Sequence, residues 1–348
     1  MNKHIFGIAA ACVALAACSK NEVKVNVPDQ EITFQTVGTK SASAFNTSNK
    51  FYSYAYFLEK GNNWDANYNS ANAYISNAAI SYNTTANAWK ATDTYYWPKQ
   101  GSLTFFAWTD NTSDPKIEGT GASITCGSDT GIKILNYSVT DNRNRDILVA
   151  DIAKDQTANT TTVSTWKKGV PTVFKHALSN VEFKVNKTTS YDGVTFKVKS
   201  ITLNNVNTNG TYTQGSPDAN SIGTMWTNQD APTDLSVFTG EVEVTKTNDG
   251  TVAWDELTAS TNDYKIVLPQ KFTSDDQVLT IVYDITTNYT GTAVTETVTD
   301  TKKLSEIYTK NWESGKKYIL GITLGLNEIY WAPSVEDWTS GDVTNITF

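Results

Sequence analysis

Short alternating or apolar runs, each ended by Gly, Pro, Asn or Asp, recur along this sequence with no amphipathic helical segment between them. A chain of this kind buries apolar surface by laying strands side by side and stacking the shared face on a second layer. The runs fall at residues 31–37, 51–58, 103–108, 146–150, 181–185, 195–203, 236–244, 264–268, 278–285, 292–298 and 316–324. Residues 147–150 are apolar throughout and predict a central strand buried on both faces. Residues 61–93, rich in Asn, Ala and Tyr without a clean period, predict surface loops around one or two short strands. Gly210, Pro217, Pro232 and Pro269 read as turns in the second half, and residues 303–308 as a single helical turn. The expectation is an all-β protein built of antiparallel β-sandwiches.

At 348 residues the chain is long enough for two sandwiches in tandem. Residues 154–169 turn to Thr, Asn, Gln and Lys, which makes them the expected junction. A first sandwich is therefore expected over residues 31–168 and a second over 169–348. Aromatic residues make up 11% of the chain, with 10 Trp and 17 Tyr, too many for a disordered segment. The 28 Lys and Arg against 36 Asp and Glu leave a net charge of -8. A nucleic-acid partner is not expected, because phosphate binding needs a basic face.

The amino terminus reads as an export signal. Met1-Asn2-Lys3-His4 is a short basic start, residues 5–17 are apolar, and Leu15-Ala16-Ala17-Cys18 resembles the cleavage site of a bacterial lipoprotein. In that resemblance residues 1–17 are removed, Cys18 is acylated, and residues 18–30 become a polar tether. The mature chain would have 348 − 17 = 331 residues. Its remaining cysteine besides Cys18 would be Cys126, so no disulfide within the chain is expected.

The inventory for catalysis is thin. His176 would be the one imidazole of the mature chain, where a Ser/His/Asp or Cys/His device would need it and a zinc site would need several more ligands. A histidine hydrogen-bonded within a strand is the expectation. Residues 141–146, Asp-Asn-Arg-Asn-Arg-Asp, look briefly like a calcium loop, but Arg143 stands where an oxygen ligand is required. No catalytic residue, cofactor or metal is expected.

Several segments in order resemble the fimbrillin superfamily, the lipoprotein pilins of Bacteroidetes type V fimbriae. They are Cys18, Glu31-Ile32-Thr33-Phe34, Tyr95-Tyr96-Trp97-Pro98 with the run at 103–108, and Asp146-Ile147-Leu148-Val149-Ala150. Phe174-Lys175-His176-Ala177-Leu178-Ser179, Tyr264-Lys265-Ile266-Val267-Leu268-Pro269, Trp312 with Gly315-Lys316-Lys317-Tyr318, and Val335-Glu336-Asp337-Trp338 follow. The resemblance implies two transthyretin-like sandwiches, no enzymatic activity, and subunits that join by strand exchange at the cell surface. It implies that a protease removes the first strand, carrying Ile32 and Phe34, by cutting after a basic residue. Lys40, before Ser41, is the first basic residue after that strand; familiar members carry Arg there.

A neighbouring subunit would supply the replacement strand. The terminal Ile346-Thr347-Phe348 repeats Ile32-Thr33-Phe34, so Ile346 and Phe348 are candidate donor side chains. The expected partners are other fimbrial subunits, the outer membrane through lipid on Cys18, and a surface receptor. The short end after Trp338 fits either a stalk subunit or a tip subunit. Two alternatives stay open: a surface glycan-binding lipoprotein stacking sugars on Trp64, Trp89 or Trp226, and a carboxylate-based hydrolase.

Overall fold

The computed structural model describes residues 29–38, 45–158, 169–215, 225–248, 253–289, 291–326 and 329–338. These residues are 56% strand and 4% helix, so the chain is all-β. The strands are β1 (Phe34–Gly38), β2 (Phe51–Leu58), β3 (Asn72–Asn83), β4 (Ala88–Ala91), β5 (Ser102–Thr109), β6 (Ser123–Gly127) and β7 (Gly131–Ser138). They continue with β8 (Leu148–Ala150), β9 (Ala153–Gln156), β10 (Val170–His176), β11 (Ser179–Lys187), β12 (Val194–Thr213) and β13 (Trp226–Glu243). The last are β14 (Asp255–Leu257), β15 (Ile266–Val267), β16 (Val278–Thr287), β17 (Val294–Lys303), β18 (Lys316–Leu324) and β19 (Ile329–Asp337). Among the described residues, helix is confined to α1 (Trp64–Asn67), a following turn and α2 (Leu304–Ile307), the last within the turn expected at 303–308.

The first sheet closes on itself. Its neighbours run β2-β3-β4-β1-β10-β8-β5, and β5 pairs back onto β2 from Tyr52↔Trp108 to Leu58↔Ser102. β9 joins β5 beside β8. Inside this ring lies one apolar cluster with Phe34, Phe51, Trp89, Trp97, Phe105 and Phe174 at its heart. β5 shows how its sequence, Ser-Leu-Thr-Phe-Phe-Ala-Trp-Thr, is used on both faces. Leu103, Phe105 and Ala107 enter the ring, whereas Phe106 and Trp108 join the larger core outside it. β8 does the same, with Leu148 and Ala150 inside and Val149 outside. A strand flanked by two cores has no polar face to spare, which is why these runs lack alternation.

The larger core fills the space between two further sheets. One runs β14-β11-β18-β19, with β15 also on β11; the other runs β17-β16-β12-β7-β6. β12 is the spine of the second: β16 and then β7 pair along one edge and β13 along the other. Its alternation from Val194 through Phe196, Val198, Ile201 and Leu203 puts a continuous apolar face on the core.

Several expectations need correcting. Residues 61–93 contain the twelve-residue β3 and β4, not loops around short strands; β3 bends at Asn77, where φ is 50°. Gly210 and Pro232 lie inside β12 and β13. Pro232 is tolerated because β13 is an edge strand, paired among the described strands with β12 alone. Gly210 sits under an indole: a Cβ there would come within 3.1 Å of the Trp226 ring. Not every pairing is antiparallel, since β1–β10 and β11–β18 run parallel.

The sheets also divide the chain differently from a cut at residue 168. β10, beyond that point, belongs to the ring, and β6–β7, before it, extend the sheet of β12. The chain passes from the ring to the five-stranded sheet at Ala177-Leu178, between β10 and β11.

Candidate strand-exchange site

β1 occupies the gap between β4 and β10 and completes the ring. The chain approaches it in extended form: Trp97 donates its backbone N–H to Gln30 O at 2.9 Å, and Ile32 N–H donates to Tyr95 O at 2.8 Å. Glu31 meets Lys90 at 2.5 Å at the rim. On the β4 side the pairing is brief, Phe34↔Trp89. On the β10 side it is parallel and continuous, from Phe34↔Val170 to Gly38↔Phe174. Val170 N–H donates to Thr33 O at 2.8 Å and starts that ladder.

The side chains do the anchoring. Ile32 is 2% exposed and Phe34 3%, both in the ring cluster. The Phe34 ring stands edge-on to Phe51 at 5.6 Å and to Phe105 at 5.7 Å. Phe45 covers the same pocket, stacked on Phe174 at 5.4 Å and tilted against Trp89 at 5.2 Å. Burial of the Ile32 and Phe34 side chains stabilises the folded chain by about 2–3 kcal/mol each. Alternation, apolar-polar-apolar at 32–34, places both on the inner face.

Gly169 lets the ladder begin. Its φ is +116°, and a Cβ there would meet the Phe34 carbonyl carbon at 2.7 Å and Thr33 O at 2.9 Å. Gly169→Ala adds backbone strain and pushes β1 off β10. The expected cost is about 2–3 kcal/mol, read as a lower urea midpoint. An unchanged midpoint would mean that β1 and β10 do not pack this closely.

Of the residues singled out in the sequence, Ile32 and Phe34 are brought together here. Cys18, Lys40, Ser41, Ile346 and Phe348 lie outside the described residues. Sequence reasoning missed the parallel partner β10 and the lid formed by Phe45, because neither has a local signature.

The other candidates sit elsewhere. His176 is buried at the end of β10, its Nδ1 2.7 Å from Asp146 Oδ2 and its ring stacked on Trp338 at 3.8 Å and 7°. Its Nε2 has no protein partner. The Cys126 thiol has its pKa pushed well up by burial, which keeps it in the unreactive protonated form. Residues 141–146 act as a clasp. Asn142 bonds Ser138 O and Glu118 O, Asn144 bonds Asp263 O and receives Lys265 N–H, and Arg145 pairs with the buried Asp110.

The three tryptophans offered for sugar stacking are buried. Trp64 is 0%, Trp89 5% and Trp226 9% exposed, and the Trp226 indole N–H donates to Ala177 O at 2.6 Å. Their faces are spent on core packing, so they offer no platform to a glycan. Among the described residues, the exposed aromatics are Tyr74, Tyr96 and Tyr289.

Comparison with known proteins agrees with the fold. The crystal structure of a fimbrial protein from Bacteroides vulgatus is similar with a TM-score of 0.63 at 19% identity, covering 89% of this chain and 100% of that one. A candidate cell adhesion protein from Bacteroides uniformis gives 0.48 at 16% identity, covering 89% of this chain and 99% of its own. Among curated proteins, no sequence matches. The model of the family described as fimbrillin-like matches residues 39–338, beginning one residue past β1. With that match spanning most of its length, the chain belongs to the fimbrillin-like family.

Proposed function

We propose that this protein is a structural or adhesive subunit of a cell-surface fimbria, exported as a lipoprotein through Cys18 and assembled by strand exchange after cleavage at Lys40–Ser41. The observation that carries the reading is the position of β1: it is the first strand among the described residues and yet a member of a closed ring. One cut on its carboxyl side leaves it held by non-covalent contacts alone, whereas freeing any other strand of the ring would take two cuts. Its departure would expose the slots of Ile32 and Phe34 and the unpaired edges of β4 and β10, a template for a foreign strand. Ile346 and Phe348 of a neighbour would refill those slots, in a register fixed by the requirement that both point inward. Family membership supports the fimbrial assignment.

Limited trypsin treatment of the purified precursor is expected to clip near Lys40 and to produce ladders of oligomers on gels run without boiling. Deleting residues 345–348 leaves the clip intact and reduces the ladder. Equal oligomers without those residues would remove the donor assignment, and no clip and no oligomer would remove the exchange mechanism.

The anchor is tested separately. Two or three acyl chains on Cys18 hold a protein stably at a membrane where one chain is marginal. Cys18→Ala is expected to abolish metabolic labelling with palmitate and to strand or secrete the precursor. Labelling at the normal level in that variant would refute lipidation at this residue.

A further inference from the structure

We propose that two copies of this chain pair edge to edge through β17, antiparallel about a two-fold axis at Thr299. The other sheet edges among the described residues are short or interrupted. The first sheet is a ring, and β6, β9, β14 and β15 have five residues or fewer. β13 contains Pro232 and shifts register four times against β12, and β19 contains Pro333. β17 has none of these features. Its ten residues, Val-Thr-Glu-Thr-Val-Thr-Asp-Thr-Lys-Lys, pair with β16 in one unbroken register, with no described strand on the other side. Side chains add to that ladder: the Thr295 and Thr286 hydroxyls meet at 2.8 Å, and Thr297 donates to Asp284 at 2.6 Å. A long, regular open edge is a template for another strand.

Hydrogen bonds and charges select one way of pairing. Leu304 N–H donates to Gln277 O at 2.9 Å, and bonded pairs alternate along an antiparallel ladder, so the even-numbered residues of β17 bond to β16. The N–H and C=O groups of Thr295, Thr297, Thr299, Thr301 and Lys303 therefore turn to the open edge. Thr301 N–H is met there only by the side chain of Asp300, at 2.8 Å. A second β17 forms a ladder where odd residues meet odd residues. With Thr299 on the axis, Thr301 N–H exchanges Asp300 for the Thr297 carbonyl of the other copy, and Glu296 stands opposite Lys302, twice by symmetry. These two form a non-bonded pair of the ladder, where Cα atoms approach to about 4.5 Å. Lys302, already paired with Glu306 of its own chain, then meets a second carboxylate. Val294, 63% exposed, comes opposite Leu304 at the start of α2 and is covered. An axis at Val298 would set Glu296 against Asp300, and a parallel in-register pair would set Glu296 against Glu296; both repel. Axes further along the strand leave more of it unpaired, and one at Thr297 forms no ion pair. The pairing does not involve β1, so uncut chains make it.

Sedimentation velocity over a concentration series tests this on the uncut full chain carrying Cys18→Ala, in which no lipid drives association. A reversible dimer is expected. Thr299→Pro removes an outward amide and leaves the bonds to β16 in place, so it should abolish the dimer without changing the circular dichroism spectrum. If it does not fold, Thr297→Pro replaces it. Glu296→Lys and Lys302→Glu each put like charges opposite one another twice and should weaken the dimer by about tenfold. Mixed in equal amounts, the two variants should regain it, because each carries the charge that the other lacks. A parent chain that stays monomeric at every concentration overturns the pairing, as does a dimer that survives the proline. Charge variants that weaken the dimer without rescuing one another overturn the axis at Thr299.

Discussion

Phe34→Asp is expected to cost the protein more than about 5 kcal/mol and to open the ring. Losing a buried phenylalanine from a packed core costs about 3–5 kcal/mol, and placing a carboxylate in the same pocket adds several more. Phe34 is 3% exposed, with Phe51 and Phe105 edge-on to its ring, inside a cluster of apolar side chains. Hydrogen exchange is the measurement that localises the damage. Protection falls in β1, β4 and β10, while β12 and β16, packed in the other core, keep theirs. At about 2–4 °C per kcal/mol for a unit of 150–250 residues, calorimetry should show the first transition at least 10 °C lower. An unchanged first transition would place β1 outside the core. Ile32→Asp should act in the same direction.

Asp263→Ala is the second large effect, of about 3 kcal/mol at neutral pH, and it is pH-dependent. Asp263 is 1% exposed, and its carboxylate ties its own loop, from Ser260, to β13. It accepts from Ser236 Oγ at 2.9 Å, Thr239 Oγ1 at 2.9 Å, Thr239 N at 2.8 Å and Ser260 N at 2.7 Å. Removing the carboxylate leaves the Thr239 and Ser260 amides without acceptors, each a penalty of about 1–3 kcal/mol. Burial by itself would raise its pKa, but these hydrogen bonds outweigh that and hold it below the usual aspartate value. A carboxyl with a lower pKa folded than unfolded stabilises the protein fully above the unfolded value, about 3.9. That contribution disappears as the pH falls through the folded value. Urea midpoints of wild type and Asp263→Ala should therefore differ most at neutral pH and converge below about pH 4. A gap that stays constant into acid would mean that the carboxylate is not what holds the segments.

Much of this was legible in the residues. Alternation at 32–34 names the two side chains, Ile32 and Phe34, that enter the core, and the apolar run at 147–150 names a strand buried on both faces. Both signals are local: a strand's period of two reports its own faces, and nothing further along the chain can alter it. The ordered motifs pointed to the family that the matched region over residues 39–338 shows. Residues 61–93 were misread for the same reason in reverse. β3 packs on two neighbours and bends at Asn77, so its alternation shifts midway and no single period survives.

What the sequence by itself determined is therefore the all-β class, the inward residues of its clearest strands, and the absence of a histidine or cysteine set for familiar catalysis. Only the tertiary structure decided that β1 pairs in parallel with β10, that the ring closes through β2 and β5, and that Asn144 fastens residues 141–146 to Asp263 and Lys265. It also decided that His176 meets Trp338. The physical reason is that each of these is a contact between segments far apart in the chain. Such partners are chosen by the summed burial of two whole cores, and no residue carries a local mark of which distant strand will supply the other half of its hydrogen bonds.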